Sequence, residues 1–343
     1  MSPGTLRRGY TTGACAQAAT AAAARRLEPP QVAITLPSGE KAEFLFEVDD
    51  EGTAWVVKDA GDDPDVTDGL RIGARVEDTP GSFEIAAGEG VGTVTLAGLP
   101  VPPGEPAVNP VPREAVLAEL RRARPEGARV TLLAPGGERL ARKTLNPRLG
   151  VVGGISILGT SGRVEPWSIE AMRDSLVPQL DVAAAAGRRS LVFVVGAKGR
   201  KLAEAAGCDP VALVEVGNEL GWMLEQAAER HFESVLIRGH VGKLAKLAAR
   251  IFDTHSRVAD ARTITLAAYA GAGGVEPGAV RGLIEMPTAE EAAGRLLDLG
   301  RRDVLDEVAR AAAAACRERY GLPVEVVMLD RPGNVVGSSE AGV

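Results

Sequence analysis

The chain has 343 residues, enough for two domains with separate cores, and its 45% hydrophobic and 25% charged composition is that of an ordinary globular protein. A net charge of −7 with no basic run argues against nucleic acid as the main partner, although a small anion needs only a local cluster of arginines or backbone N–H groups. Three scattered cysteines suggest neither a disulfide framework nor a thiolate metal site; with no apolar run of membrane-spanning length and no signal-peptide layout, a soluble cytoplasmic protein is expected.

In chain order, Arg7 and Arg8 lead into an alanine-rich helix that Thr11 or Thr12 can cap and that Pro29-Pro30 stops after Leu27. Its N-terminus, beside the two arginines, is a candidate anion site. From Gln31 to Leu96 the texture is strand-like: 32–36, 41–48, 53–59, 71–78 and 82–86 read as short strands separated by turns. The acidic run Gly61-Asp62-Asp63-Pro64-Asp65 fails the calcium-loop spacing and reads as a solvated turn. A helix over 111–124, with Pro112 near its start, and a strand over 130–134 complete a strand-rich α+β domain assigned to 1–145.

Asn146 to Pro166 carries five glycines around the apolar run Ile155–Leu158, a density that demands sharp bends or close backbone approach. Its Gly159-Thr160-Ser161-Gly162 tail lies between a strand-like and a helix-like segment, the order in which open α/β sheets place ligand loops. Beyond it strands and helices alternate: a helix over 168–186 kinked at Pro178, strands over 191–195, 212–216, 234–237 and 324–329, and helices between them. Asn218 reads as the N-cap of a helix to His231, and Thr288 with Glu291 as a capping box. This is a Rossmann-like, doubly wound and mostly parallel α/β domain over 146–330, followed by a polar tail, 331–343.

The loops after those strands, with Gly159 to Gly162, Gly196, Gly217, Asn218 and Gly239, are the candidate cofactor-binding positions. Gly239 to Lys243 fails the phosphate-loop spacing, and no dinucleotide fingerprint, serine-nucleophile elbow or zinc-type histidine spacing occurs, so no resident metal is assigned. Lys243 nevertheless sits near a helix N-terminus, where the macrodipole disfavours a cation unless an anion or carboxylate is close. The polar run Asp253 to Arg262 fits a capped turn and a site equally well.

Taken together, Gly9–Ala16, Gly61–Thr67, Asn109–Arg113, Asn146–Gly162, Gly239–Ala249 and Ile251–Arg262 resemble the motifs of the cobalt-precorrin-5B C(1)-methyltransferase family, in the family's order. The chain departs from the family's usual pattern at Asp68, commonly His, and at Leu96-Ala97, commonly Pro-Gly. The resemblance implies methyl transfer from S-adenosylmethionine to carbon 1 of a cobalt-bearing tetrapyrrole, cobalt-precorrin-5B. Such a substrate carries several carboxylates, which makes Arg7, Arg8, Arg148, Arg238, Arg257 and Arg262, with Thr11 and Thr12, candidate contacts for it. His240, Asp253 and His255 are the candidates for accepting a proton. A non-catalytic tetrapyrrole carrier and a small-molecule kinase are the other classes left open.

Overall fold

The structure, a computed structural model, describes residues 6–340, and at 196 and 197 the backbone alone. It comprises two compact units with the chain boundary between Ser175 and Leu176.

In the first unit a five-stranded sheet runs in the order Glu47–Val48, Ala54–Val57, Arg71–Asp78, Ala128–Leu133, Phe83–Ala87. The pairing is antiparallel except between Ala128–Leu133 and Phe83–Ala87. Helix Thr12–Arg25 packs on this sheet and against helix Pro110–Ala123. Small side chains on every face of Thr12–Arg25 let it sink almost completely into the core. Thr11 is its N-cap, with Oγ1 accepting the Ala14 N–H at 3.1 Å.

The glycine-rich stretch Asn146 to Val164 belongs to this first unit and not to the second. Gly154–Ile155 pairs in parallel with Gly90–Val91, whereas Val151–Val152 pairs antiparallel with Thr93–Val94 and Arg163–Val164 antiparallel with Gly9–Tyr10. A side chain at Gly154 would run into the carbonyl of Gly90, and one at Gly159 would meet Thr11 at 2.5 Å. The glycine density therefore answers to strands pressed against each other and against a helix end, not to a ligand loop. Gly154→Ala should lower the unfolding free energy by roughly 1–3 kcal/mol, the range for forcing extra atoms into packed space. Urea denaturation checks this, and a change below about 0.5 kcal/mol would count against the close approach.

The second unit is built on a sheet ordered Leu213–Glu215, Ser190–Val194, Ser234–His240, Val324–Leu329, Val335–Ser338. The first four strands are parallel and the last is antiparallel. Both faces are apolar because both are covered. Leu191, Phe193, Val235, Ile237, Val324 and Val326 join one core with helices Leu220–Glu229, Val241–Ala248 and Arg302–Tyr320. Val194 and Leu213 pack with Ala203 of helix Gly196–Ala205. The doubly wound architecture is as expected, with three differences. The helix expected over 168–186 is two, Ile169–Leu176 and Pro178–Ala185, because Pro178 cannot continue the first one's hydrogen bonding. Thr263–Ala268, ambiguous in sequence, lies in helix Arg262–Ala272. The expected polar tail contains the edge strand Val335–Ser338; residues 341–343 lie outside the described ones. Among the described residues no helix is long and apolar enough to cross a membrane.

Candidate functional site

The second sheet starts at Ser190–Val194, adds Leu213–Glu215 on one side, then returns to add Ser234–His240 on the other. The strand order thus reverses between Ser190–Val194 and Ser234–His240, and open α/β sheets hold their ligands outside the carboxyl ends of the strands near such a reversal. At that end lies a cleft of about 310 Å³. Asn218 reaches it from beyond Leu213–Glu215, His240 and the helix Val241–Ala248 from the end of Ser234–His240, and Arg331 from beyond Val324–Leu329. Thr254, His255, Ser256 and Arg262 line another wall, and Thr288, Ala289 and Glu290 at the start of helix Ala289–Asp298 line the next.

Local sequence explains how each wall is set. His240 is the N-cap of its helix, and its Nδ1 accepts the Gly242 N–H at 3.2 Å. With Nδ1 taken, the neutral ring carries its proton on Nε2, which stands 3.4 Å from Glu290 Oε2. His255 is arranged alike: its Nδ1 accepts the Arg257 N–H at 3.1 Å, and its own N–H donates to Asp253 Oδ1 at 2.9 Å. Glu290 Oε1 accepts the Arg331 N–H at 2.9 Å, and Oε2 lies 2.8 Å from Arg331 Nε. The expected capping box is present, with Thr288 Oγ1 accepting the Glu291 N–H at 3.2 Å, and it presents Glu290 to the cleft.

The cleft is positively biased. Arg262 is paired with Asp260 at 2.6 and 3.0 Å. Lys243 Nζ donates to Asn218 Oδ1 at 2.9 Å, and Lys246 Nζ donates to the Thr254 carbonyl at 2.9 Å and the His255 carbonyl at 3.4 Å. Burial, reinforced by the charge of Lys246, holds Lys243 below the usual lysine range. Burial and then Arg262 do the same to Lys246, against the opposing pull of Asp260 and Asp253.

The residues singled out from sequence fall into two groups. His240, His255, Asn218 and Arg262 come together on the cleft, with Gly217 and Gly239 in the chain beside it. Asp253 and Arg257 contribute by fixing the turn that carries His255. Asn218 is not a helix cap: the helix begins at Leu220 and Asn218 serves Lys243. Gly196 opens the helix after Ser190–Val194, the strand next to His240's own. Arg238, in strand Ser234–His240, has a buried Nε with no hydrogen bond among the described residues. In this arrangement the Nδ1 of each imidazole is held by a backbone N–H, so accepting a proton there would mean breaking that hydrogen bond.

The second group lies in the first unit, where these residues are engaged with neighbours of that unit. The Gly13 N–H donates to the Leu158 carbonyl at 2.9 Å and the Leu158 N–H to Thr12 Oγ1 at 2.9 Å. The Thr11 N–H donates to the Gly162 carbonyl at 3.0 Å and the Ser38 N–H to the Ser161 carbonyl at 3.2 Å, so Gly159, Thr160, Ser161 and Gly162 wrap the helix end and close it to an anion. Arg7 is paired with Asp59, and Arg8 with Glu165 at 2.9 Å. Arg148 lies in the short helix Asn146–Leu149 of the same unit. The acidic run is not merely solvated: Asp65 meets the buried Lys58 at 2.8 Å. Asp68, the departure noted above, accepts the Ala60 N–H at 2.8 Å. Burial pushes the Cys15 and Cys316 thiols up to about 12, so neither is a nucleophile at neutral pH.

Sequence reasoning missed Lys246, Thr254, Glu290 and Arg331 as cleft residues. Lys246 carried a signal, one helical turn from Lys243, and Glu290 lay inside the recognised capping box. Arg331 was hidden by being read as the first residue of a tail.

Residues 2–166 match the family model described as CbiD, and residues 253–340 match the one described as CbiD, C-terminal domain. The chain is 44% identical to the cobalt-precorrin-5B C(1)-methyltransferase of Moorella thermoacetica over 98% of this chain and 95% of that one. It is 47% identical to the protein of that name from Thermoanaerobacter sp., covering 84% and 81% of the two chains. For that of Methanocaldococcus jannaschii the identity is 41%, covering 96% and 95%. A crystal structure of a cobalamin biosynthesis protein (cbiD) from Archaeoglobus fulgidus is 30% identical, covering 74% of this chain and 83% of that one at a TM-score of 0.42.

Proposed function

This chain belongs to the CbiD family, and on that footing we propose that it methylates carbon 1 of cobalt-precorrin-5B, a cobalt-bearing tetrapyrrole, with S-adenosylmethionine as the methyl donor. The observation that carries the reading is 44% identity across nearly the whole of both chains to a relative that bears this activity as its name. We assign the donor to the cleft at the carboxyl end of the second unit's sheet.

The residues present suit such a donor. A volume of about 310 Å³ is at the small end of ligand pockets and suits one nucleoside-sized molecule. When bound, S-adenosylmethionine supplies an electrophilic methyl carbon on a sulfonium centre. The chain's own share is positional, since orientation and exclusion of water account for most of the rate in such a transfer. Lys243 and Asn218 supply polar contacts beneath the strand ends, and Glu290, held by Arg331, turns the Nε2–H of His240 toward itself. The Nε2–H of His255 is left as a donor to whatever occupies the cleft. A proton released by the macrocycle therefore passes to solvent or to another group, not to these histidines.

Calorimetric titration with S-adenosylhomocysteine tests the reading. Saturable binding of one equivalent is expected. Binding of the tetrapyrrole without any affinity for S-adenosylhomocysteine would make the protein a carrier, and binding of ATP instead would revive the kinase reading.

A further inference from the structure

Among the described residues, two ammonium groups on this cleft form no ion pair with a carboxylate. Lys246 is 2% exposed and, among the described residues, donates only to the carbonyl oxygens of Thr254 and His255. Lys243 is half-buried and donates to the neutral Asn218 carboxamide. Of the nearby carboxylates, Glu290 pairs with Arg331 and Asp260 with Arg262, Asp253 accepts the His255 amide N–H, and the last two attract Lys246 only at longer range. Three effects of one sign converge on Lys243. It is partly desolvated, it stands three residues from a second ammonium on the same helix, and it occupies the first turn, where the helix dipole repels a cation. Both lysines nonetheless line open space large enough for a ligand. A negatively charged group placed there relieves all three at once.

We infer that Lys243 and Lys246, at the N-terminal end of helix Val241–Ala248, form a seat for one carboxylate of a bound ligand. This rests on the methyl-transfer reading, under which two sources exist: the methionyl carboxylate of S-adenosylmethionine, or a carboxylate arm of the tetrapyrrole. Neither source needs the whole macrocycle to enter the cleft. The seat is a charge-assisted contact, so its loss is a loss of affinity and not of folding.

The first test uses the intact chain and a bare dicarboxylate, so it does not depend on which reaction is catalysed. Reductive dimethylation is followed at Lys243 by peptide mass spectrometry, with the exposed Lys143 as internal reference. Succinate is expected to slow modification of Lys243 several-fold and to leave Lys143 unchanged; equal rates at Lys243 with and without succinate overturn the seat. The second test separates the sources with Lys243→Met, whose melting temperature should hold or rise because no carboxylate among the described residues pairs with this lysine. A loss of about 10- to 100-fold in S-adenosylhomocysteine affinity, with binding of methylthioadenosine unchanged, assigns the seat to the donor's carboxylate. Unchanged S-adenosylhomocysteine affinity with a KM for cobalt-precorrin-5B raised by about 10-fold or more assigns it to the substrate. No change in either overturns it. Succinate protection in a chain that binds no S-adenosylhomocysteine would overturn the methyl-transfer reading while leaving the seat intact.

Discussion

Replacing His255 with leucine is expected to lower turnover about 10²-fold, the usual effect of removing one positioned donor, while His255→Gln should stay within roughly a few-fold of the parent. The contrast follows from the tautomer. The Arg257 N–H occupies Nδ1, so the neutral ring offers Nε2–H to the cleft, and a glutamine amide N–H can take that place. A proton-accepting histidine would behave otherwise: glutamine has no basic nitrogen, so both variants would fall together by about 10²–10⁴-fold. Steady-state turnover of the two variants, with S-adenosylhomocysteine affinity as a check on the cleft, separates these outcomes.

Asp65→Asn should produce the largest loss of stability, about 2–3 kcal/mol. Lys58 is 2% exposed, and Asp65 at 2.8 Å is the carboxylate that balances it; removing one partner of a buried pair strands the other charge. A figure just below the roughly 3–5 kcal/mol of fully buried pairs is expected because the Asp65 side chain keeps 25% of its exposure. Burial alone would push the Asp65 carboxyl up, but Lys58 and the hydrogen bonds from Lys58 and Thr67 outweigh it and hold it below the usual aspartate range. A depressed folded-state value means the stabilisation is complete above the unfolded value near ~3.9 and is lost as pH falls through the folded one. Denaturation of the parent and variant should therefore differ most near neutrality and converge below about pH 4. Equal stability at pH 7 would show that the pair contributes nothing.

The fold was legible where one physical signal dominated. Apolar runs bounded by turns marked Arg71–Asp78 and Val324–Leu329 to the residue, and the Thr11 and Thr288 caps marked two helix starts. The stretch around Ile155 was placed in the wrong unit because its glycines admit two readings with one local pattern. A loop that wraps a phosphate and a strand that presses on Gly90 both need the missing side chain. Only the long-range pairing distinguishes them, and pairing partners some sixty residues away leave no trace in the local sequence. The candidate site was half legible for the same reason. His240 and His255 stood out as rare polar residues beside turns, whereas Glu290 and Arg331 join them only because the strand order brings four segments to one end of a sheet. The role of the histidines turns on a finer point: which ring nitrogen is free depends on a backbone N–H two residues along, set by the turn and not by the histidine itself.

The most direct measurement is a single-turnover incubation of the purified chain with cobalt-precorrin-5B and S-adenosylmethionine labelled with carbon-13 in its methyl group. One labelled methyl per tetrapyrrole, attached at carbon 1, is expected, with one equivalent of S-adenosylhomocysteine formed. Tetrapyrrole recovered unlabelled with S-adenosylmethionine intact, or label found at any other carbon, would contradict it.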